Sequence, residues 1–330
     1  MRAIRLTLAL DVGLWTLPPT GQIAVYRPVA GDDLQALRRD RVVVQSGFRP
    51  DHDHFASVGY AVTPAPPYAA AFVCLPRARA AARALLSQAE AEVAPGGSIA
   101  VDGQKTDGVE AALKELRALV PLSKALSKAH GKLAVFAAGN ALGHWAAVPS
   151  IVEGGFQTWP GTFSADGPDR GSALLAAALP ARLGPKVADL GAGWGYLCRA
   201  ILSREGVKRL EVVEAEAGAL ACARLNVADD RARFHWADAT QFRPENLLET
   251  VVCNPPFHTG RDADPHLGVA FIGAARRMLA PDGVLWMVAN RHLPYDAALS
   301  AAFMVVEDIG RDPAFRVIRA AKPRRAKPRA

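Results

Sequence analysis

Strands and helices alternate regularly along the second half of the chain, and this pattern restricts the fold more than any other feature of the sequence. From Gly184 onward, short runs rich in β-branched residues alternate with alanine-rich amphipathic runs. The first four runs are 186–190, 196–204, 210–213 and 217–226. Such alternation is typical of βαβ units, in which parallel strands form one sheet with helices on both faces. The second half is therefore predicted to be a doubly wound α/β domain.

The length of the chain indicates a second domain. At about 150 residues per domain, 330 residues are enough for two domains that each bury a core. Glycine and proline are concentrated between residues 139 and 171, as expected of a domain junction. We therefore predict a first domain over residues 1–150, a second domain over residues 151–321 and a basic tail over residues 322–330.

The first half repeats sequence elements of the second half. Residues 72–76 (FVCLP) resemble residues 251–255 (VVCNP), and residues 94–101 (APGGSIAV) resemble residues 280–287 (APDGVLWM). Each pair occurs in the same order around a helical pattern. The two halves are therefore predicted to be duplicates of one α/β domain.

The first half differs from its counterpart where a site would lie. It has no glycine-rich turn after its first strand, and Leu75-Pro76-Arg77 occupies the place of Asn254-Pro255-Pro256. The first domain is therefore predicted to keep the fold and to lack the site. Its net charge is +4, because residues 1–150 carry 16 Lys and Arg against 12 Asp and Glu. Such a domain suits the binding of a polyanion such as RNA, with structural support as the alternative.

Composition and charge narrow the class of protein. With 50% hydrophobic and 22% charged residues, the chain is neither largely disordered nor fibrous. No span approaches the ~20 apolar residues that cross a bilayer.

The four cysteines form no CxxC pair and lie in apolar segments, which predicts buried thiols in a reducing, cytoplasmic compartment. His52 and His54 have no further cluster of ligands nearby in the sequence and are expected to lie in a solvated loop, so no metal site is predicted. The basic tail suits either solubility or RNA binding.

Three glycines at alternate positions mark a candidate cofactor site. The predicted strand 187–190 leads into Gly191, Gly193 and Gly195, and a helix follows. Glycines let the backbone approach a ligand at the carboxyl edge of a sheet, where α/β folds bind cofactors. The spacing differs from the dinucleotide fingerprint GxGxxG, and Asp189 suits an ammonium or sulfonium group better than a pyrophosphate. The turn resembles the S-adenosylmethionine loop of class I methyltransferases.

Acidic residues follow the next two predicted strands. The Glu214 carboxylate can accept hydrogen bonds from both ribose hydroxyls of a bound nucleoside. The alternative is that Glu214 is a solvent-exposed acid at the end of a strand. Asp238, with Ala239 beside it, is expected to accept from the exocyclic amine of adenine, the alternative being a helix N-cap. Phe163 is expected either to close over the cofactor or to fill the edge of the sheet.

Asn254-Pro255-Pro256-Phe257 is the most specific motif of the chain. Two prolines fix φ and leave few backbone donors, so the loop offers the Asn254 side-chain oxygen and the Pro255 carbonyl as acceptors. These two acceptors can hold both hydrogens of a planar amine, and Phe257 offers a face on which the attached ring can stack. The motif is similar to the (N/D/S)PP(F/Y/W) loop of the amino-group methyltransferases.

Two further segments narrow the resemblance. They are residues 160–172 (PGTFSADGPDRGS) and residues 289–295 (ANRHLPY). Together with the Asn-Pro-Pro-Phe-His loop, they resemble the bacterial ribosomal RNA guanine-N2 methyltransferases that act on the small subunit. The resemblance is strong over residues 154–320 and weaker over the first half, where that family has a degenerate copy of the fold.

This resemblance implies two tandem Rossmann-like methyltransferase domains, with the N-terminal one degenerate. It also implies that the chain uses S-adenosylmethionine to methylate the N2 amine of a guanosine in 16S ribosomal RNA, free or in the ribosomal subunit. The protein is further predicted to be a monomer that binds neither metal nor membrane. The expected catalytic residues are Asn254, Pro255 and Phe257. The expected cofactor residues are Asp189, Gly191, Gly193, Gly195, Glu214, Asp238, Ala239 and Phe163.

Four alternatives remain open to different degrees. A protein-glutamine methyltransferase would use the same Asn-Pro-Pro loop on a side-chain amide, and an adenine-N6 nucleic-acid methyltransferase would differ only in the base accepted. A nicotinamide oxidoreductase would leave residues 254–257 unexplained. A non-catalytic RNA-binding protein is disfavoured, because the second half keeps every expected site residue.

Overall fold

Two compact units divide the chain. The computed structural model describes residues 1–256 and 265–324, and between these ranges it describes only the backbone of residues 258–259 and 262–263. The first unit contains Met1–Pro149 and Trp159–Gly161, and the second contains Ser150–Thr158 and Thr162–Ala330. The division thus falls in the segment rich in glycine and proline, where the chain passes more than once between the units.

The first unit is built on a six-stranded sheet with the strand order β2-β1-β3-β4-β6-β5. Its elements, in chain order, are α1 (Arg2–Asp11), β1 (Ile23–Tyr26), β2 (Val42–Gln45), α2 (Arg49–Ser57), β3 (Tyr68–Cys74), α3 (Arg79–Glu92), β4 (Val93–Gln104), α4 (Val109–Arg117), β5 (Leu126–Lys128) and β6 (Gly131–Ala137). The strands β2, β1, β3 and β4 are parallel, whereas β6 is antiparallel to both β4 and β5. Side chains alternate between two cores: Ile23 and Val25 enter one, and Ala24 and Tyr26 enter the other.

The second unit is built on a seven-stranded sheet and two short hairpins. Its elements, in chain order, are β7 (Ser150–Val152), β8 (Phe156–Thr158), α5 (Arg170–Ala178), β9 (Lys186–Leu190), α6 (Tyr196–Leu202), β10 (Arg209–Glu214), α7 (Ala217–Asn226), β11 (Ala232–Trp236), β12 (Leu248–Cys253), β13 (His258–Thr259), β14 (Asp262–Ala263), α8 (Pro265–Met278), β15 (Leu279–Asn290), α9 (Asp296–Ala302), β16 (Phe303–Arg311) and β17 (Phe315–Pro323). The large sheet has the order β11-β10-β9-β12-β15-β17-β16, parallel from β11 to β15 and antiparallel beyond. It too has a core on each face.

The two sheets share one topology, which confirms the predicted α/β fold of two doubly wound units. Each sheet places a parallel strand beside a 12-residue strand that contains the Ala-Pro-x-Gly sequence: β3 beside β4, and β12 beside β15. Two antiparallel strands complete each sheet, with the later strand of the pair inside. Among the described residues, the first sheet has no counterpart of the edge strand β11.

A buried ion-pair cluster lies at the carboxyl edge of the first sheet. The Asp102 carboxylate, on β4, accepts hydrogen bonds from Arg5 Nε at 2.5 Å, Arg5 Nη2 at 2.8 Å and Arg2 Nε at 2.9 Å. Arg2 also pairs with Asp32, in the segment that follows β1. By sheet order, that segment is the counterpart of the glycine turn after β9. The first unit therefore has charged side chains where the second unit has its glycine turn.

Other sequence expectations concern burial and the chain end. All four cysteines are free and buried, as expected. No helix in the described part of the chain is long and apolar enough to cross a membrane. The strand β17 runs to Pro323, and the Arg324 backbone donates to the Ala302 carbonyl at 2.8 Å. The first three residues of the predicted tail thus belong to the fold of the second unit.

Candidate active site

The glycine turn after β9 is held in a conformation that favours glycine at three positions. Gly191, Gly193 and Gly195 have φ values of +74°, +55° and +94°. The Gly191 and Ala192 amides both donate to the Val213 carbonyl, at 2.9 and 3.1 Å, which ties the turn to β10. A Cβ atom added at Gly193 would meet nothing within 4 Å, so the space beside this residue is open. The turn therefore offers a close backbone approach to a ligand.

Glu214, at the end of β10, is bonded to the glycine turn. Its Oε2 accepts from the Gly193 amide at 2.8 Å, and its Oε1 accepts from the Glu216 amide at 2.7 Å. Burial raises the pKa of Glu214, while these backbone hydrogen bonds act in the opposite direction. Each carboxylate oxygen has a second lone pair, so both oxygens can still accept, and ribose recognition by Glu214 stays a prediction.

Asp189, on β9 two residues before Gly191, is fully buried. The Cys198 thiol donates to its Oδ2 at 3.1 Å, whereas its Oδ1 has no partner among the described residues. Burial raises the pKa of Asp189 to about 7, and the nearby Glu214 charge adds to that shift. A buried carboxylate oxygen without a donor is unfavourable on its own and fits a cationic ligand.

Asn254 follows β12 and is held by residues at the start of α5. Its Nδ2 donates to Asp169 Oδ2 and to Ser172 Oγ, both at 2.9 Å. Asp169 is the N-cap of α5, and its Oδ2 also accepts from the Ser172 amide at 2.9 Å. Pro255 is buried. Phe257 lies outside the described residues, so its predicted stacking role stays a prediction.

A cleft brings together four of the residues predicted from the sequence. These are Phe163, Gly191, Gly193 and Asn254, and Asp169 and Ser172 line the same cleft. The Phe163 side chain is 61% exposed, so it does not fill the edge of the sheet. Its carbonyl accepts from Trp194 Nε1 at 3.0 Å, which joins this segment to the glycine turn. The turn and the Asn-Pro-Pro loop thus face a common space.

The remaining predicted cofactor residues do not line that cleft. Asp238 Oδ1 accepts from the backbone amide and the hydroxyl of Thr240, both at 2.7 Å, and so caps the turn after β11. The Ala239 side chain is 5% exposed and lies in the core, so any contact with a ligand there falls to its backbone. No helix begins at Asp238, so it caps a turn and not a helix as the alternative expected, and adenine recognition stays a prediction.

Asp169 and Ser172 are the site residues that the sequence analysis did not assign. The Asp-Arg-Gly-Ser segment has the spacing of a helix N-cap, and that signal is local. Its hydrogen bonds to Asn254 span 82 and 85 residues of chain, which no local pattern reveals. Among the residues that the structure describes, no group of three or more His, Cys, Asp or Glu side chains could hold a metal ion.

Comparisons with known proteins show which proteins this chain is similar to. Residues 153–319 match the family described as Methyltransferase small domain. Two proteins named Ribosomal RNA small subunit methyltransferase C are each 32% identical to this chain. The match with the Klebsiella pneumoniae protein covers 70% of this chain and 69% of that protein. The match with the Alcanivorax borkumensis protein covers 72% and 75%.

A solved structure extends the similarity to both units. The T. thermophilus 16S rRNA N2 G1207 methyltransferase (RsmC), in complex with AdoMet and guanosine, superposes with a TM-score of 0.80 at 25% sequence identity. The superposition covers 97% of this chain and 91% of that chain. The predicted pair of methyltransferase-type units is therefore confirmed at the level of the fold.

Proposed function

Because this chain belongs to the ribosomal RNA small subunit methyltransferase C family, and its second unit to the methyltransferase small domain family, we propose that it methylates the N2 amine of a guanosine in 16S ribosomal RNA. The enzyme depends on S-adenosylmethionine, as its family does. The observation that best supports this acceptor is the Asn254 amide, fixed by its nitrogen at the edge of the cleft that the glycine turn lines.

The residues around the glycine turn fit S-adenosylmethionine. When bound, this cofactor supplies an electrophilic methyl group on a sulfonium cation. The open space beside Gly193 admits a ligand against the backbone, and Glu214, which accepts from the Gly193 amide, keeps lone pairs that could accept from ribose hydroxyls. The unpartnered Asp189 Oδ1 and the Glu214 charge make the region negative, which favours a cation over a pyrophosphate.

The Asn-Pro-Pro loop suits a weakly nucleophilic amine. The lone pair of the guanine amine is delocalised into the ring, so the nitrogen must become pyramidal as it attacks. Asn254 Oδ1 and the Pro255 carbonyl would accept one N–H each and so favour that change, an interaction that strengthens in the transition state. The remaining acceleration comes from proximity and alignment. The target base must be unpaired or flipped out to reach such a pocket.

Nucleoside analysis tests this function. Ribosomal RNA from cells with and without the gene should differ in N2-methylguanosine, and the purified protein should restore the modification to the deficient RNA or subunit. Appearance of N6-methyladenine would instead assign the adenine alternative. Label from tritiated cofactor in protein, with none in RNA, would assign the glutamine alternative.

We further infer that the first unit binds RNA and not a second cofactor molecule. The Arg2, Arg5, Asp32 and Asp102 cluster holds the counterpart of the glycine turn in ion pairs. A pocket at the carboxyl edge of this unit is lined by Arg77, Arg79, Arg83 and Trp145, which suit phosphate and base contacts, and Glu115 in the same pocket pairs with Arg79 and Arg83. Equilibrium dialysis should give one S-adenosylhomocysteine per chain, and two per chain would overturn this assignment.

We also infer that the enzyme acts as a monomer in the cytoplasm. Four free, buried cysteines suit a reducing compartment, and ribosomal RNA is the proposed substrate. Light scattering after size exclusion should give the mass of one chain, whereas twice that mass would contradict the monomer. Fractionation of cells that express the tagged protein should place it with the cytoplasmic ribosomal fraction.

A further inference from the structure

We propose that Asp169 and Ser172 are positioning residues that set which end of the Asn254 amide faces the acceptor base. The inference rests on the proposed function, because it explains how Asn254 comes to accept from an amine. It adds two residues, contributed by the start of α5, to the machinery that selects the substrate.

The hydrogen bonds at Asn254 Nδ2 allow one orientation of the amide. The nitrogen carries two protons, and the two acceptors at 2.9 Å, Asp169 Oδ2 and Ser172 Oγ, take one each. Because the amide is planar, Oδ1 must then lie on the opposite side. Asp169 is itself fixed by its N-cap bond from the Ser172 amide, and Ser172 is only 8% exposed. The acceptor pair is therefore part of the rigid start of α5.

The orientation matters because the two ends of an Asn side chain have the same shape and opposite hydrogen-bonding character. A flipped amide would present donors to the donors of an amine, and the buried groups would stay unpaired. The Pro255 carbonyl belongs to the backbone and has no such freedom. The chemical preference of the site for an amine at this position of the base therefore depends on the residues that hold Nδ2.

A double substitution tests the proposal. Asp169→Ser keeps an N-cap hydroxyl for α5 but withdraws the acceptor from Asn254, and Ser172→Ala removes the other acceptor. In the double variant, kcat on ribosomal RNA should fall about 10- to 100-fold. The affinity for S-adenosylhomocysteine should change less than about twofold, because neither residue carries the predicted cofactor contacts. The single variant Asp169→Asn retains an acceptor oxygen and should keep most of the wild-type kcat. Asp166→Ser is the matched control, because it changes a nearby aspartate outside this hydrogen-bond network.

Base discrimination supplies a readout that a purely structural role would not change. The wild-type protein should bind guanosine more tightly than inosine, which lacks the 2-amine. In the double variant this preference should shrink towards equality, whereas Asp169→Asn and Asp166→Ser should keep it. Unchanged discrimination together with an unchanged kcat in the double variant would overturn the proposal.

Hydrogen exchange of the Asn254 side-chain amide separates this proposal from the proposed function. The amide signal, identified by its loss in Asn254→Asp, should exchange slowly in wild type and faster in the double variant. Slow exchange in a protein that does not methylate guanosine would leave the positioning role standing and overturn the function. Fast exchange in wild type would overturn the positioning role.

Discussion

The buried carboxyl group of Asp189 makes the stability of this protein depend on pH. Burial raises its pKa from 3.8 to about 7 in the folded chain, so the folded state holds this proton more tightly than the unfolded state does. The stabilising contribution is therefore complete below about pH 4 and is lost as the pH rises through about 7. Asp189→Asn should remove that decline. Denaturant unfolding from pH 4 to pH 8 checks this, and parallel curves for the two proteins would contradict it.

The same carboxyl group should couple cofactor binding to proton release. A bound cation lowers the pKa of a nearby carboxyl group, so wild-type Asp189 should lose a proton when S-adenosylmethionine binds near pH 7. Calorimetry in buffers of different ionisation enthalpy should give a positive proton release for wild type and close to none for Asp189→Asn. The two proteins should differ less with S-adenosylhomocysteine, which lacks the sulfonium charge. Equal release in both proteins would place the proton elsewhere.

Two substitutions near the glycine turn should weaken cofactor binding for different reasons. One removes the Glu214 acceptors, and the other fills the open space beside Gly193. Glu214→Ala should weaken S-adenosylhomocysteine binding by about 1.5–3 kcal/mol, the usual contribution of hydrogen bonds to a charged group. Gly193→Val should block the open space beside the turn, where its Cβ meets no protein atom within 4 Å. Because a φ of +55° strains a β-branched residue, circular dichroism must first show that this variant is folded. Titration calorimetry measures both, with Glu216→Ala as the control. Unaltered affinity in both variants would remove the turn from the cofactor site.

Asn254 should act on the methyl transfer step and not on the cofactor. Asn254→Ala removes one acceptor from the amine, which should lower kcat by a factor of about 10². S-adenosylhomocysteine affinity should stay within about twofold of wild type, because Asn254 is not among the predicted cofactor residues. Single-turnover kinetics on deficient ribosomal RNA checks the rate. A variant that turns over at the wild-type rate would exclude Asn254 from the mechanism.

At the scale of elements, the buried ion pairs between α1 and β4 should make the stability of the first unit sensitive to the loss of one partner. Arg5 and Asp102 are both fully buried, and removing Arg5 takes two hydrogen bonds from the Asp102 carboxylate and leaves it Arg2 as its guanidinium partner. Arg5→Ala should therefore lower the free energy of unfolding of this unit by about 3–5 kcal/mol. The exposed pair Arg38 and Asp40 gives the control, since Arg38→Ala should have little effect. Equal reductions in stability from Arg5→Ala and Arg38→Ala would contradict the prediction.

Elements whose cause is local could be predicted from the sequence, and features that join distant segments could not. The apolar run that becomes β9 and the Ala-Pro-x-Gly sequences within β4 and β15 are visible in the chain, because burial and turn chemistry act over a few residues. The pairing of Asn254 with Asp169 depends on how the start of α5 meets the end of β12, which no periodicity encodes. Asp238 shows a second limit, because an aspartate after a strand can either bind a ligand or cap a turn. The sequence does not distinguish these roles, and the hydrogen bond from the Thr240 amide is visible only in the structure.

At the scale of the whole molecule, the first half and the C-terminal tail carry the excess positive charge. If these regions bind RNA phosphates, the affinity for RNA should fall as the salt concentration rises. The proposed RNA-binding residues of the first unit include Arg77 and Arg79, which line its pocket, and the basic residues after Arg324 are expected to bind phosphates as well. Replacing both arginines by alanine should lower the salt slope of RNA binding by about 0.7 for each single-strand phosphate that the protein no longer neutralises. Turnover at saturating RNA should change little, because neither residue lies in the catalytic unit.

The controls for this prediction follow from the fold. Truncation after Arg324 removes the end of the basic tail without cutting β17, and it should reduce the salt slope further if the tail binds phosphates. Lys208→Ala with Arg233→Ala removes two charges from the second unit and should leave the slope near wild type. Filter binding to 16S ribosomal RNA across roughly 50 to 300 mM salt, a range over which phosphate binding weakens strongly, measures all four proteins. Equal slopes in the arginine variant and the control pair would show that the first unit supports the fold and does not hold the RNA.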